Sequence, residues 1–163
     1  MTENRALALC PLDEVRRAWA IQLARARWAS QVVVSRGVVH DVATLPGFVA
    51  LRGDEPVGLA TYHLVGDSCE IVTLDSLVEG IGVGAALIDA VRSHAQAAGC
   101  RRLWLITTND NIPAIRFYQK RGFHLVAVHP DAVAESRRLK PEIPLVGLDG
   151  IPICDELEFE IVL

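Results

Sequence analysis

Apolar positions at Val15, Trp19, Leu23 and Ala26 recur every three or four residues, a spacing that predicts an amphipathic helix within PLDEVRRAWAIQLARARW. Pro11 and Asp13 suit its start. The short run RALALC before it reads as a strand, and SQVVVSRGVVHDVATLPG after it, broken by Gly and Pro, reads as irregular. FVALRGDEPVGLATYHLVGDSCEIVTLDSL predicts three antiparallel strands with turns at RGDEP and VGDS. Beyond Leu77 the period changes. Gly82 to Ala98 is helical, with Val83, Leu87, Val91 and Ala95 on one face and Gly99 as its stop. RRLWLITT is a continuous apolar run, expected to be a strand buried on both faces. NDNIPAIRFYQKRGF reads as a second such helix, with Asp110 or Asn111 as cap, Pro113 in the first turn and Gly122 just past the end. FHLVAVH and LEFEIVL are strands, separated by a long connection with room for one helical turn.

This order, hairpins first and β-α-β-α-β second, predicts an α+β chain with a mixed sheet. Its 163 residues suit one domain spanning 1–163, and 51% hydrophobic residues are enough to bury a core. A net charge of −4 argues against binding nucleic acid through phosphate contacts. Cys10, Cys69, Cys100 and Cys154 lack metal-ligand spacing, so reduced thiols and no metal are expected. No apolar run approaches the ~18 residues of a membrane helix, and the N-terminal run is short for a signal peptide. The expectation is a cytoplasmic protein that does not engage a membrane.

VEGIGVGAALIDAV is the first stretch with chemistry in it. Gly80, Gly82 and Gly84 lie between a strand and a helix start. Backbone amides in the first helical turn lack partners within the helix, and the helix dipole adds about half a positive charge there. Glycines let a phosphate approach those amides closely. A tight strand-to-helix turn with glycines chosen for packing explains the run equally well. GIGVGA satisfies the dinucleotide fingerprint G-x-G-x-x-A, and EGIGVG is also similar to the glycine loop of S-adenosylmethionine-dependent methyltransferases. The preceding strands look antiparallel, however, and the next strand-end acid, Asp110, is 26 residues beyond Gly84, which suits a dinucleotide site poorly.

The second landmark is more specific. NDNIPAIRFYQKRGF resembles the signature N-x-x-A-x-x-F/L-Y-x-x-x-G-F of the GCN5-related N-acetyltransferase (GNAT) family, with Asn111, Ala114, Phe117, Tyr118, Gly122 and Phe123 in place. It follows the glycine loop by one helix and one strand, as in that family. The family's pyrophosphate loop, Q/R-x-x-G-x-G/A, is matched here by residues 79–84, with Glu79 in place of Gln or Arg. The resemblance covers residues 48–129 well; the first 47 match in layout only, and the connection 130–153 has no counterpart in the pattern.

The resemblance implies the acyl-CoA N-acyltransferase fold: a mostly antiparallel sheet, flanked by helices, with one splayed pair of parallel strands. It implies acetyl-CoA as co-substrate and a primary amine, on a small molecule or a protein, as acceptor. The pantetheine arm would lie along the main chain around Val72 and Leu74. The pyrophosphate would rest on the amides of Glu79, Gly80, Ile81, Gly82, Val83 and Gly84, and Asn111 would position the thiol end. Tyr118 would be the general acid that protonates the coenzyme A sulfur. Glu70 is the favoured base, with Asp75, His63 and His40 as rivals. Arg116 and Lys120 are candidate phosphate contacts against a plainer role on a solvated face. Trp19, Trp28, His40, Asp41 and Phe48 are candidates for the acceptor pocket, and residues 130–153 for a lid. A non-catalytic acyl-CoA-binding module of the same fold is the alternative function, and an exposed last strand could pair two copies into a homodimer.

Overall fold

Asp13 accepts a hydrogen bond from the Arg16 amide at 2.9 Å and caps helix α1 (Glu14–Trp28), which follows strand β1 (Leu7–Pro11). The computed structural model describes residues 6–163. The expected irregular stretch is instead a hairpin, β2 (Val32–Ser35) and β3 (Val38–Asp41), paired from Val32–Asp41 to Ser35–Val38. Its two turn residues, Arg36 and Gly37, both have positive φ (48° and 75°). That is the primed turn whose twist matches a two-residue hairpin.

β4 (Gly47–Arg52), β5 (Glu55–Val65) and β6 (Ser68–Ser76) form the expected antiparallel meander. Alternation along them sorts the two faces. Val49 and Leu59 turn to α1, with Ala20, Ala24 and Val42, while Ala50 and Ala60 turn to α2 (Val83–Ala97), with Val83, Leu87 and Val91. β7 (Arg102–Thr108), α3 (Ile112–Lys120), β8 (His124–His129), α4 (Ala132–Leu139) and β9 (Glu156–Val162) complete the chain.

The seven-stranded sheet runs β1-β4-β5-β6-β7-β9-β8, and β6-β7 is its one parallel pair among the described residues. A dinucleotide or methyltransferase sheet, wound from successive parallel units, is excluded by that order. Two expectations about single strands are corrected. β7 is not buried on both faces: Leu103, Leu105 and Thr107 are buried, while Trp104 and Ile106 alternate with them half-buried, and the Arg102 guanidinium lies over the Trp104 ring. β9 is not an exposed edge, because it sits between β7 and β8 and leaves β8 at the margin. The connection before β9 holds two turns of helix rather than one, α4, and a short 3-10 turn at Leu148–Gly150. No helix among the described residues is long and apolar enough to cross a membrane.

Candidate active site

β6 and β7 pair only from Ser68–Arg102 to Ile71–Leu105 and then part. A β-bulge marks the point of divergence. On the other edge of β6, Ile71 faces Tyr62 and Thr73 faces Thr61, so Val72 is the extra residue. A bulge bends its strand and re-aims the residues after it. The main-chain groups of Val72 to Leu74 on the β7 side therefore face a gap. That gap belongs to a cleft of about 940 Å³, lined by Glu70, Val72, Leu74, Asp75, Ile106 and Asn111, with Trp28 at its border.

At the end of β6 the chain passes through the glycine loop into α2. Gly80 and Gly82 hold φ of 78° and 79°, a region L-residues adopt at a cost. Gly82 is the helix N-cap, and no side chain bonds the free amides of the first turn. Glu79, Gly80, Ile81 and Gly82 are all exposed, so the loop presents its amides at the surface, next to the cleft rather than within it. Gly84 serves packing. A Cβ there would sit 2.8 Å from the Phe117 ring, which lets α3 approach α2.

Tyr118 lies on the α2 side of the sheet, edge-on to Phe117 (5.3 Å) and Phe123 (5.5 Å), rather than on the cleft wall. Its hydroxyl makes no hydrogen bond among the described residues. Burial raises its pKa well above the usual phenol value, and the Asp75 carboxylate adds to the rise. Asp75 is buried and accepts from the Trp28 indole N–H at 3.5 Å. Burial also raises the Asp75 pKa, against smaller opposing effects of the Trp28 hydrogen bond and Arg27.

A stability prediction follows from the sign of that shift. A folded-state pKa above the unfolded value gives stability that is complete below about pH 4 and lost as pH rises through the folded pKa. Asp75→Asn keeps an acceptor for Trp28 and removes the buried charge. It should raise Tm at pH 7 and give no gain at pH 3, as read by calorimetry at the two pH values.

Glu70 is buried on β6, facing the hairpin. Its Oε1 accepts a short hydrogen bond from the Ser35 hydroxyl of β2, and its Oε2 lies 3.5 Å from His40 Nε2 of β3. The hairpin that the sequence did not reveal is thus what holds the favoured base.

The remaining candidates divide. Asn111 lines the cleft, but its Oδ1 is engaged with the Ala114 amide as the cap of α3. Asp110 does not cap. Its Oδ1 accepts from Thr108 and its Oδ2 from the Leu148 amide at 3.1 Å. Of the five acceptor-pocket candidates only Trp28 borders the cleft. Trp19 packs in the α1 core, Phe48 stacks on Tyr62, Asp41 holds Gln31 and the Ala43 amide, and His40 lies in a separate cavity beside the hairpin. Arg116 and Lys120 are exposed on α3. Asn109 has a role the sequence reading missed. Its Oδ1 accepts from the amides of Cys154 and Asp155, both at 3.0 Å, and its Nδ2 donates to Pro152 O at 2.9 Å. These bonds tie down the end of the connection, which forms a cleft wall through Val133, Ser136, Lys140 and Ile143.

Comparison with known proteins agrees with this geometry. The Acetyltransferase (GNAT) family model matches residues 14–123. The uncharacterized protein YdhI of Bacillus subtilis (strain 168) is 42% identical over 159 residues, 96% of this chain and 99% of that protein. Among solved structures, the IAA acetyltransferase from Bacillus cereus ATCC 14579 superposes with a TM-score of 0.73 at 18% identity, covering 97% of this chain and 100% of the other. A GNAT family acetyltransferase from Elizabethkingia anophelis with acetyl-CoA bound gives 0.70 at 14% identity, covering 99% and 100%. The parted strand pair, the open helix N-terminus and the match over residues 14–123 lead to one conclusion: this chain has the acyl-CoA N-acyltransferase fold and belongs to the GNAT family of acetyltransferases.

Proposed function

We propose that the chain transfers the acetyl group of acetyl-CoA to a primary amine by direct attack of the amine on the thioester. One observation carries the reading: β6 and β7 part after four paired positions, and β6 then leads into a helix whose first amides no side chain caps. The main chain of Val72 and Leu74 bonds the pantetheine arm as an added strand would. The amides of residues 79–84 hold the pyrophosphate. Glu79 is exposed, so its carboxylate can turn to solvent while its amide is used.

Three proton and charge problems remain, and the chain has a group for each. The acceptor arrives as an ammonium, and Glu70 takes its proton, directly or through a water. The free amine attacks the thioester carbon, and a main-chain N–H near Val72 meets the charge that develops on the carbonyl oxygen. The carbon–sulfur bond breaks, the Tyr118 hydroxyl gives its proton to the departing sulfur, and the second proton lost by the attacking nitrogen as the amide forms returns to the phenolate, restoring Tyr118. Products are the acetylated amine and coenzyme A as free thiol. Asn111, committed to capping α3, orients that helix and so Tyr118. Its Nδ2 remains to meet the thiol end of the cofactor.

Binding is tested by melting the protein with acetyl-CoA, NAD(H) and S-adenosylmethionine in parallel. A ligand at 100 times its Kd adds about 2.7 kcal/mol. At roughly 2–4 °C per kcal/mol for a chain of this size, the expected rise with acetyl-CoA is several degrees. A rise with NAD(H) or S-adenosylmethionine alone would remove the reading.

A further inference from the structure

Three side chains from three strands meet behind the cleft. His63 on β5 and Glu70 on β6 are directly opposed in the antiparallel register, so both project from one face. His40 comes from β3, where the hairpin lies across that face. One ligating atom from each residue lies within 4.8 Å of the others. His40 is 5% exposed, and its Nε2 is wholly buried without a hydrogen-bond partner, although it points at Glu70 Oε2 from 3.5 Å. A buried imidazole nitrogen left unpaired is costly, and the separation is long for a charge-assisted hydrogen bond.

The His40–Glu70 separation suits two ligands of one metal ion better. Zinc bonds imidazole nitrogen at ~2.0–2.1 Å and carboxylate oxygen at ~2.0–2.2 Å, so tetrahedral ligand atoms lie ~3.3–3.5 Å apart. Two imidazoles on one such ion have ring centroids about 5 Å apart; the His40 and His63 centroids are 5.0 Å apart. Ser35 already occupies Glu70 Oε1, which orients the carboxylate and leaves Oε2 toward the histidines. The cluster borders a cavity of about 270 Å³, room for a water as fourth ligand. The cations on that cavity do not oppose an ion strongly. Arg36 pairs with Glu156 at 3.5 Å, and Arg102 pairs with Glu158 and Glu160.

We propose that His40, His63 and Glu70 form a site for a divalent transition metal, zinc by donor set and spacing, with its fourth position open to the cavity beside the hairpin. The site stands independently of the acetyl-transfer reading. Its consequence rests on that reading: an ion on Glu70 Oε2 takes the carboxylate away from the ammonium and slows transfer.

The test uses the full chain, stripped with EDTA and dialysed, then titrated with zinc chloride by calorimetry and with cobalt(II) by visible absorption. One zinc per chain is expected, with cobalt bands of tetrahedral intensity. Losing an outer-shell partner of a metal ligand typically costs 10–100-fold in affinity, so H63A and H40Q, each losing a ligand, should weaken zinc by more than about 100-fold. H63A alters a half-buried side chain and guards against misfolding of the more buried variant. Absence of saturable binding would overturn the site, as would stoichiometric binding that survives both substitutions. Zinc should also slow acetyl transfer by the wild type, with EDTA restoring it. Binding without inhibition supports the site and removes Glu70 from proton transfer instead.

Discussion

Tyr118→Phe is expected to lower turnover by about 10²–10⁴-fold, the usual worth of a positioned general acid. The affinity for acetyl-CoA should stay within about two-fold, because the lost interaction acts only as the sulfur departs. The ring is the reason the variant is informative. Phe117 and Phe123 pack against the Tyr118 ring edge-on, and Phe159 lies 6.4 Å from it, so removing one oxygen leaves that packing in place. Burial and the Asp75 carboxylate both raise the Tyr118 pKa. The wild-type phenol therefore keeps its proton throughout the alkaline range in which an ordinary tyrosine, near 10, begins to lose it. The rate should show no fall from Tyr118 ionisation up to that pH. Steady-state kinetics on an amine that turns over, together with calorimetry on acetyl-CoA, makes the measurement. Unchanged turnover would take the acid role away from Tyr118.

Much of this was legible in the sequence where the signal is local. A glycine loop between strand and helix, and a helix bounded by Asn111 and Gly122, are set by backbone conformations that few residues tolerate, and both lie where expected. What could not be read depends on contacts between distant segments. The β2-β3 hairpin was missed because its turn is Arg-Gly, and Arg36 at φ 48° is not among the residues that announce a primed turn. The usable signal was the pair of valine runs, Val32 to Val34 and Val38 to Val39, on either side of Arg36-Gly37. The bulge at Val72 leaves no mark in composition, because it is a count of residues against the partner strand. Nor could any spacing show that Ser35, His40 and Glu70 converge, since three strands must assemble first. Asn109 reads in sequence as one more polar residue before a helix, and its bonds go to residues 152–155. The parted strands are the exception among non-local features. They were expected by resemblance to the family, not by any property of the strands themselves.

That hidden convergence sets up the other large effect. Glu70→Gln keeps the shape of the side chain and an acceptor for Ser35 but cannot take a proton at neutral pH. A drop in kcat/KM of about 10²–10³-fold at pH 7 is expected, within the range for loss of a general base. The pH dependence separates this from simple damage to the site. An alkyl ammonium ionises near pH 10, so at neutral pH about one acceptor molecule in 10³ is already an amine. With its base gone, the variant depends on that fraction, and its rate should climb about tenfold per pH unit until the acceptor itself titrates. The wild type, which deprotonates the bound ammonium, should climb less steeply, so the two profiles converge toward high pH. A gap of constant size across pH 7 to 10 would mean that Glu70 holds the hairpin through Ser35 and takes no proton. In that case Ser35→Ala should reproduce the whole defect. If Glu70 is the base, Ser35→Ala only loosens an oriented carboxylate and should cost far less than Glu70→Gln.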